Sequence, residues 1–316
     1  MAAFIIRRFI GMILVLFVVS FFVFLIFIVV PGGDPAVRIA GRTATDQNIA
    51  NIRHDWGFDR PFYVQYYDMM KKAFTGRLYE QTHQGVSVVQ QIKAGVPATF
   101  SLAIGAAVIW LTFGILVGVI SAVTAGRVSD RLITLFALIG ISMPVFWLGI
   151  LVRYFLAEKN TWFPDGGYVP LTQDPVQWFV HLILPWLVLA VLFIGFYGRV
   201  LRGNILDTIN EDYVRTARAK GLAPRRVMVK HVLRNSLIPI VTLFGLDFAA
   251  VLGGGAILTE TVFDLHGVGQ YAAQSIANFD LPPIIGVTLF GAFFIVFFSA
   301  LVDLAYAFLD PRIRPT

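Results

Sequence analysis

The stretch from Asp212 to Ile240 reads "DYVRTARAKGLAPRRVMVKHVLRNSLIPI", and it decides how the rest of the chain is interpreted. It contains seven Lys or Arg residues, and strongly apolar segments lie on both sides of it. A glycine, Gly221, lies within the basic run. Positive charge concentrated between two apolar segments is typical of a cytoplasmic loop that joins two membrane-spanning helices.

The composition fits this interpretation. Of 316 residues, 57% are hydrophobic and 14% are charged, whereas roughly 25% are charged in a typical soluble domain. The chain has too little polar surface to cover the outside of a water-soluble fold. It contains no cysteine, which excludes disulfides, thiol catalysis and cysteine-based metal sites. The net charge of +6 is concentrated in loops, which predicts contact with a lipid bilayer and not with nucleic acid.

Six apolar segments are long enough to cross a bilayer, which takes about 20 residues per helix. Each should be an α-helix, because unpaired backbone groups are not tolerated in lipid. We therefore predict an all-α integral membrane protein with one transmembrane domain over residues 1–316. The predicted spans cover residues 9–30, 98–125, 131–157, 179–199, 236–259 and 284–308. The first segment is too long for a cleaved signal peptide, so we expect it to be retained.

The basic residues predict the orientation of these spans. Nine lie between the fourth and fifth spans: Arg199, Arg202, Arg215, Arg218, Lys220, Arg225, Arg226, Lys230 and Arg234. Six more lie on the same side: Arg7, Arg8, Arg127, Arg131, Arg312 and Arg314. The last loop on the other side contains Glu260, Asp264 and Asp280 but no Lys or Arg. We expect both termini and the loop 200–235 in the cytoplasm, and the segment 31–97 outside it.

The basic loop contains signals for two helices. Asn210 is a favourable N-cap, and Glu211 and Asp212 follow in the first turn, where acidic side chains suit the positive helix end. Gly221 lies where a C′ glycine ends a helix, and Pro224 can begin the next helix. The first helix, of about ten residues, is too short to be stable alone in water, so it needs a surface to dock against.

Polar and kinking residues within the spans indicate a candidate substrate pathway. Asp247 lies midway along the fifth span, where a charge is costly unless it is paired or hydrated. It either lines a water-filled pathway or makes a structural hydrogen bond to a neighbouring helix. Pro144 interrupts the third span, and Phe146 follows it. A proline kink occurs both around cavities and in ordinary helix packing.

The stretch "DYVRTARAKGL" resembles the EAA loop, the cytoplasmic signature of permease subunits in bacterial ATP-binding-cassette (ABC) importers. Ala217 and Gly221 correspond to its small residue and its glycine. Arg215 and Thr216 give it the form typical of the dipeptide, oligopeptide and nickel branch. Similar motifs follow one another in the same order along nearly the whole chain, among them "GFDRPFYVQYY", "ISMPVFWLGIL", "FPDGGYVP" and "ETVFDLHGVGQYAAQSIANFDLPPIIG". The order and the long outer segment resemble the first, B-type permease of the pair.

The resemblance implies a six-helix, type I importer permease in the bacterial inner membrane. It implies four kinds of partner: a second permease, two cytoplasmic ABC ATPases, an extracytoplasmic solute-binding protein and the bilayer. ATP and Mg²⁺ would be bound by the ATPases, and this chain would hold no cofactor or metal. Peptides are the expected substrate, with nickel or another small solute as the alternative.

The short helix would be the coupling helix, seated in a groove of an ATPase. The residues assigned to this contact are Asp212, Tyr213, Arg215, Thr216, Ala217, Arg218, Lys220 and Gly221. Ala217 and Gly221 should allow close approach to the partner, and the arginines should pair with its acidic groups.

Three stretches depart from the usual pattern of the branch. The "PGGDP" corner at 31–35 has an additional glycine, "GRLYEQTHQG" at 76–85 replaces a Gly-Asp-Leu-Gly stretch, and His266 replaces a proline. No P-loop, H-E-x-x-H or G-x-S-x-G motif is present, so no sequence motif supports an enzyme. The alternative from another class is a self-contained channel or ion-coupled carrier with Asp247 as its ion site.

Overall fold

The described part of the chain is helical. The computed structural model describes residues 2–29, 35–40, 44–55, 57–83 and 85–309, so most of the "PGGDP" corner lies outside it. The helices are α1 (Ala2–Val29), α2 (Pro35–Ala40), α3 (Asp46–Asp55), α4 (Phe62–Phe74), α5 (Val88–Val123), α6 (Val128–Ser142), α7 (Val145–Arg153), α8 (Pro175–Thr208), α9 (Asp212–Ala219), α10 (Pro224–Arg226), α11 (Arg234–Ser236), α12 (Ile238–Ala250), α13 (Ile257–Val262), α14 (Val268–Ala277) and α15 (Leu281–Leu309). Three π-helical segments extend α7, α10 and α12: Tyr154–Lys159, Val227–Leu233 and Val251–Gly255.

Five helical segments are long and apolar enough to cross a membrane, and a bent pair can supply a sixth span. The five lie at Phe9–Ile26, Val88–Val123, Pro175–Thr208, Ile238–Gly255 and Leu281–Val302. The pair joins Val128–Ser142 to Val145–Lys159 at an angle of 95°. The bend falls at Pro144, which has no backbone N–H and forces the preceding Met143 into an extended conformation. The residues of the third predicted span therefore form two helices with a sharp bend between them.

Two spanning helices are longer than the apolar pattern predicts. α5 begins at Val88, ten residues before the predicted boundary at 98, and it accommodates Pro97 inside the helix. α8 begins at Pro175, where the Asp174 side chain accepts hydrogen bonds from the backbone N–H groups of residues 176 and 177. Because α8 continues to Thr208, Arg202 lies on this helix and not in a loop.

The centre of the fold is the packing of α5 against α8. Glycines allow the two backbones to approach: a Cβ added at Gly118 would lie 2.9 Å from the carbonyl oxygen of Gly198. A Cβ at Gly114 would lie 2.8 Å from the Cβ of Tyr197. Small residues at such crossings favour close helix association in membranes. Trp110 and Tyr197 are fully buried beside this contact.

Helix α4 packs on α1. Tyr66 of α4 is buried, and its hydroxyl lies 2.8 Å from Ser20 Oγ of α1. Its ring makes edge contacts with Phe17, Phe21 and Phe24 of α1. Aromatic and apolar residues at helical spacing in "DRPFYVQYYDMMKKAF" favour this helix, and the contacts place it against the second half of α1.

Substitution of glycine by alanine should have opposite effects on stability at Gly118, which is in tight contact, and at Gly203, which is not. Gly118→Ala should destabilise the protein by roughly 1–3 kcal/mol, because the added methyl group meets backbone that cannot move aside cheaply. Gly203→Ala on α8 meets nothing within 4 Å and should stabilise by about 0.5–1 kcal/mol through helix propensity. Melting temperatures in detergent test this pair. Equal shifts would show that the α5–α8 contact is not tight.

Candidate functional site

The basic loop is fastened to the bundle at its base by buried hydrogen bonds. Ser236, at the end of the loop, is buried, and its hydroxyl lies 3.2 Å from the carbonyl oxygen of Asn204 and 3.1 Å from Thr208 Oγ1. The Asn204 amide donates to the carbonyl oxygen of Ser236 at 3.3 Å. The end of α8 and the short helix α11, which leads into α12, are thereby held together at the base of the loop.

The coupling helix predicted from the sequence is α9. It ends in a Schellman motif: the N–H of Gly221 donates to the carbonyl of Arg218 at 2.9 Å, and that of Leu222 to the carbonyl of Ala217 at 3.4 Å. Gly221 has φ +75°, a conformation that side chains with a Cβ rarely adopt. Pro224 begins the next helix, as its position predicts.

The start of α9 differs from the expectation. Asn210 is not the N-cap: its side chain donates to the carbonyl of Leu206, and the cap is Glu211, which makes no side-chain capping bond. Asn210 belongs instead to the end of α8, since its N–H bonds to the carbonyl of Asp207. Asp212 is thus the first helical residue, at the positive end of the helix.

The inner face of α9 packs on its own chain. Val214 and Ala217 are buried in one apolar cluster with Val227 and Val232 of the following π segment. The small side chain of Ala217 therefore lets α9 approach a neighbouring helix of the same chain. Ala217 is only 5% exposed within the chain, so most of its surface faces this neighbouring helix, and its contact with an ATPase stays a prediction.

The outer face of α9 is polar, basic and exposed. It carries Asp212, Tyr213, Arg215, Thr216, Arg218 and Lys220. Tyr213 is partly exposed, and its hydroxyl accepts a hydrogen bond of 2.8 Å from the Asn235 amide. Arg215 and Asp212 form a loose, fully exposed pair at 3.6 Å, which contributes little to stability. Three cations against one carboxylate leave a positive face that suits an acidic surface.

A buried ion pair that sequence reasoning missed lies on the side of the bundle that carries the loop. Asp130 of α6 is 4% exposed, and Arg202 of α8 donates to both of its carboxylate oxygens at 2.8 Å. The hydroxyl of Ser121 and the N–H of Gly126 also donate to Asp130. These bonds join the turn between α5 and α6 to α8. A positive charge 72 residues from its partner gives no local sequence signal of the pairing.

The residues assigned to a substrate pathway lie in two places. Asp247 of α12 accepts a hydrogen bond of 2.7 Å from the hydroxyl of Tyr197 on α8, as the structural interpretation of this carboxylate requires. It is half-buried, so one side remains accessible. Pro144 and Phe146 lie at the bend between α6 and α7, and both are exposed. Among the described residues, no hydrogen bond or ring contact joins them to Asp247.

The motif "ETVFDLHGVGQ" builds a buried carboxylate site at the far end of the bundle. Glu260 is fully buried and accepts hydrogen bonds from Thr99 Oγ1 of α5 at 2.8 Å and from the N–H of Gln270 at 2.9 Å. Gly267 and Gly269 are needed because a Cβ at either would lie within 3 Å of this carboxylate. Burial raises the pKa of Glu260, and the bonds from Gln270, Thr99 and Gly269 oppose that shift.

Two of the unusual stretches contact this region. His266 has φ +54°, which a proline at that position could not adopt. In "GRLYEQTHQG", Glu80 accepts a bond of 2.7 Å from the Tyr271 hydroxyl, and Asp280 accepts a bond of 2.9 Å from the N–H of Thr82. Burial and the nearby Glu80 carboxylate raise the pKa of Tyr271. The stretch 76–85 is therefore packed against α14 and Asp280, whereas the His266 side chain is exposed.

The sequence as a whole matches a known family. Residues 114–315 match the binding-protein-dependent transport system inner membrane component, and residues 1–103 match the N-terminal part of such membrane components. The chain belongs to this permease family. The permease is therefore an inner-membrane subunit of an ABC transporter.

Several relatives match over the full length of the permease. A probable peptide ABC transporter permease of Sinorhizobium fredii is 40% identical over 99% of this chain and 100% of the relative. A probable D,D-dipeptide transport system permease of Escherichia coli is 37% identical over 96% of this chain and 95% of the relative.

Solved structures show the same fold. The MetNI methionine ABC transporter in an inward-facing conformation matches with a TM-score of 0.51 and 19% identity, over 72% of this chain and 97% of the other. An amino acid ABC transporter with histidines matches with a TM-score of 0.52 and 16% identity, over 69% and 94%. The permease has the type I ABC importer fold, as the sequence predicts.

The Asp130–Arg202 pair should matter for stability. Arg202→Met leaves the Asp130 carboxylate with two fewer donors, so we expect a lower melting temperature. Arg199→Met, on the same helix at an exposed position, is the matched control and should be nearly neutral. Thermal unfolding in detergent measures both. A loss of similar size in the two variants would contradict a specific role for the pair.

Proposed function

We propose that the permease is one half of a heterodimeric transmembrane domain in an ATP-driven importer of di- or oligopeptides. A second, homologous permease would complete the pathway, and a solute-binding protein would deliver the substrate from outside. Two cytoplasmic ATPases would bind ATP and Mg²⁺ and supply the energy. The observation that carries this proposal is α9, a short helix with a basic exposed face in a loop held together at its base.

The proposed orientation puts the coupling loop and both termini in the cytoplasm. The basic residues of α9, of the segment 224–234 and of the turn at 124–128 all lie on one side of the bundle, as the positive-inside rule requires. The last loop on the opposite side carries Glu260, Asp264 and Asp280 and no Lys or Arg, whereas the segment 31–97 has mixed charge and is too long to report topology. The same orientation applies to the whole predicted topology. It puts the segment 31–97 outside and the loop 200–235 in the cytoplasm. The six spans of this topology are 9–30, 98–125, 131–157, 179–199, 236–259 and 284–308.

The exposed face of α9 supports a coupling role. An isolated helix of eight residues gains little stability from its own hydrogen bonds, yet α9 is fixed by Val214, Ala217 and the Schellman motif. Its charged side chains remain available to a partner. A movement of an ATPase that pulls on this face would pass to α8 and α12 through the Ser236 contacts.

The relatives' names favour peptides over nickel as the substrate, because the full-length relatives cited above are named for peptide and dipeptide transport. Within the permease we propose Asp247, Pro144 and Phe146 as candidates for the pathway. The free side of the Asp247 carboxylate could attract a peptide ammonium group. The carrier alternative would need Asp247 to bind the coupling ion, and the bond from Tyr197 already occupies one of its oxygens.

Gly221→Glu should abolish ATP-dependent peptide uptake by the reconstituted complex and weaken co-purification of the ATPases. The substitution adds a negative charge to the basic face and strains a residue with φ +75° by roughly 1–2 kcal/mol. The measurement is uptake of a labelled dipeptide into proteoliposomes that contain ATP.

Gly126→Glu is the matched control. Gly126 has φ +81°, an added Cβ there meets nothing within 4 Å, and the same is true of Gly221. Both glycines are on the proposed cytoplasmic side and have a positive φ, so the backbone strain is alike. Because the N–H of Gly126 bonds to Asp130, the melting temperature of each variant is measured beside its uptake. Gly126→Glu should keep its ATPases and its uptake. Normal uptake by Gly221→Glu, or equal loss in both variants, would contradict the coupling assignment.

A further inference from the structure

A cleft of about 700 Å³ with a partly charged lining lies at the end of the bundle opposite the coupling loop. It is bounded by α4, by the stretch after it, and by Phe24 of α1 and Leu281 of α15. Its charged lining consists of Asp55, Arg60, Asp68, Lys71, Lys72 and Arg77. The cleft is defined by these lining residues alone, so a proposal about its ligand does not rest on the proposed transport function.

The cleft lies at the level of the membrane surface. Phe24 and Leu281 lie near the ends of the first and last apolar spans, Phe9–Ile26 and Leu281–Val302. The helix α4 rests on the second half of α1, and its outward face exposes Tyr63, Tyr67 and Phe74. Aromatic side chains, tyrosine above all, are typical of helices at the boundary between lipid and water.

The charges of the cleft leave a positive surplus. Arg60 is paired with Asp68 at 3.0 Å, whereas Lys71, Lys72 and Arg77 make no ion pair with any residue in the described ranges. Asp55 is the remaining carboxylate. The carbonyl end of α4 disfavours an anion, so the lysines and the arginine must supply the attraction.

We propose that this cleft binds the phosphate group of an anionic phospholipid. Basic pockets between transmembrane helices bind such headgroups at the cytoplasmic surface, and the same attraction between cation and phosphate acts on anionic lipid in the other leaflet. Lys71, Lys72 and Arg77 contact the phosphate, while Phe24 and Leu281 offer an apolar wall to the first methylene groups of the acyl chains. A soluble phosphate compound carries the same negative charge but has no acyl chain to pack against Phe24 and Leu281.

The test compares lipid binding by the purified full-length permease using native mass spectrometry. Phosphatidylglycerol and phosphatidylcholine with the same acyl chains are titrated in detergent. Removal of both charges in Lys71→Gln/Lys72→Gln should weaken phosphatidylglycerol binding about 30-fold, from roughly fivefold per lysine. Lys93→Gln/Lys159→Gln removes two exposed charges elsewhere on the same side and should change the affinity less than about twofold.

A second cleft variant should raise the affinity for phosphatidylglycerol instead of lowering it. Asp55→Asn removes a carboxylate from the lining and should strengthen phosphatidylglycerol binding, and it decides the question if the double lysine variant fails to fold. Unchanged affinity in both cleft variants would overturn the proposal.

Other outcomes would identify a different occupant. Displacement of the lipid by inorganic phosphate at equal concentration would overturn the lipid as the source of the phosphate. Unchanged lipid affinity in Lys71→Gln/Lys72→Gln, together with loss of binding to the solute-binding protein, would overturn the proposal in favour of a protein contact.

Discussion

The close approach of α5 and α8 through glycine is the constraint on which the rest of the structure depends. Gly118 and Gly198 bring the two backbones together, and the large aromatic side chains Trp110 and Tyr197 fill the space beside them. In lipid, helices are not driven together by the hydrophobic effect, so van der Waals packing at such contacts has to hold them. The position of α8 in turn fixes the coupling loop, which follows it directly.

Polar bonds from α8 then reach each functional region. Near one end, the Trp186 indole donates to the carbonyl of Ser101 at 2.9 Å; further along, Tyr197 bonds to Asp247, and Arg202 to Asp130. At the other end, Asn204 bonds to Ser236. A helix bonded at several depths can carry a displacement of the loop through the membrane as one body, which is what alternating access needs from a coupling element.

Local turn chemistry made part of the site predictable. Gly221 and Pro224 have conformations that few other residues share, so their positions in the sequence mark the end of one helix and the start of the next. Asn210 misled because a good capping residue can equally lie in the last turn of a preceding helix, here α8. Pro144 indicated a kink, but a proline alone does not determine its angle, which is 95° here.

Long-range pairs could not be read from the sequence. Asp130 and Arg202 are 72 residues apart, and Glu260 and Thr99 are 161 apart. Neither pair belongs to a common local pattern, so only the fold reveals that each charge is satisfied. The inward direction of Ala217 was missed for a related reason: a small residue indicates close approach but not which neighbour approaches.

The central claim is that the exposed face of α9 contacts an ATPase, and cysteine cross-linking tests it most directly because the natural chain has no cysteine. A bifunctional thiol–amine reagent is applied to the assembled complex carrying Arg218→Cys or Lys159→Cys. We predict a cross-link to an ATPase from Arg218→Cys and none from Lys159→Cys, which lies at the other end of the bundle. An active, fully assembled complex in which Arg218→Cys yields no ATPase cross-link would contradict the account.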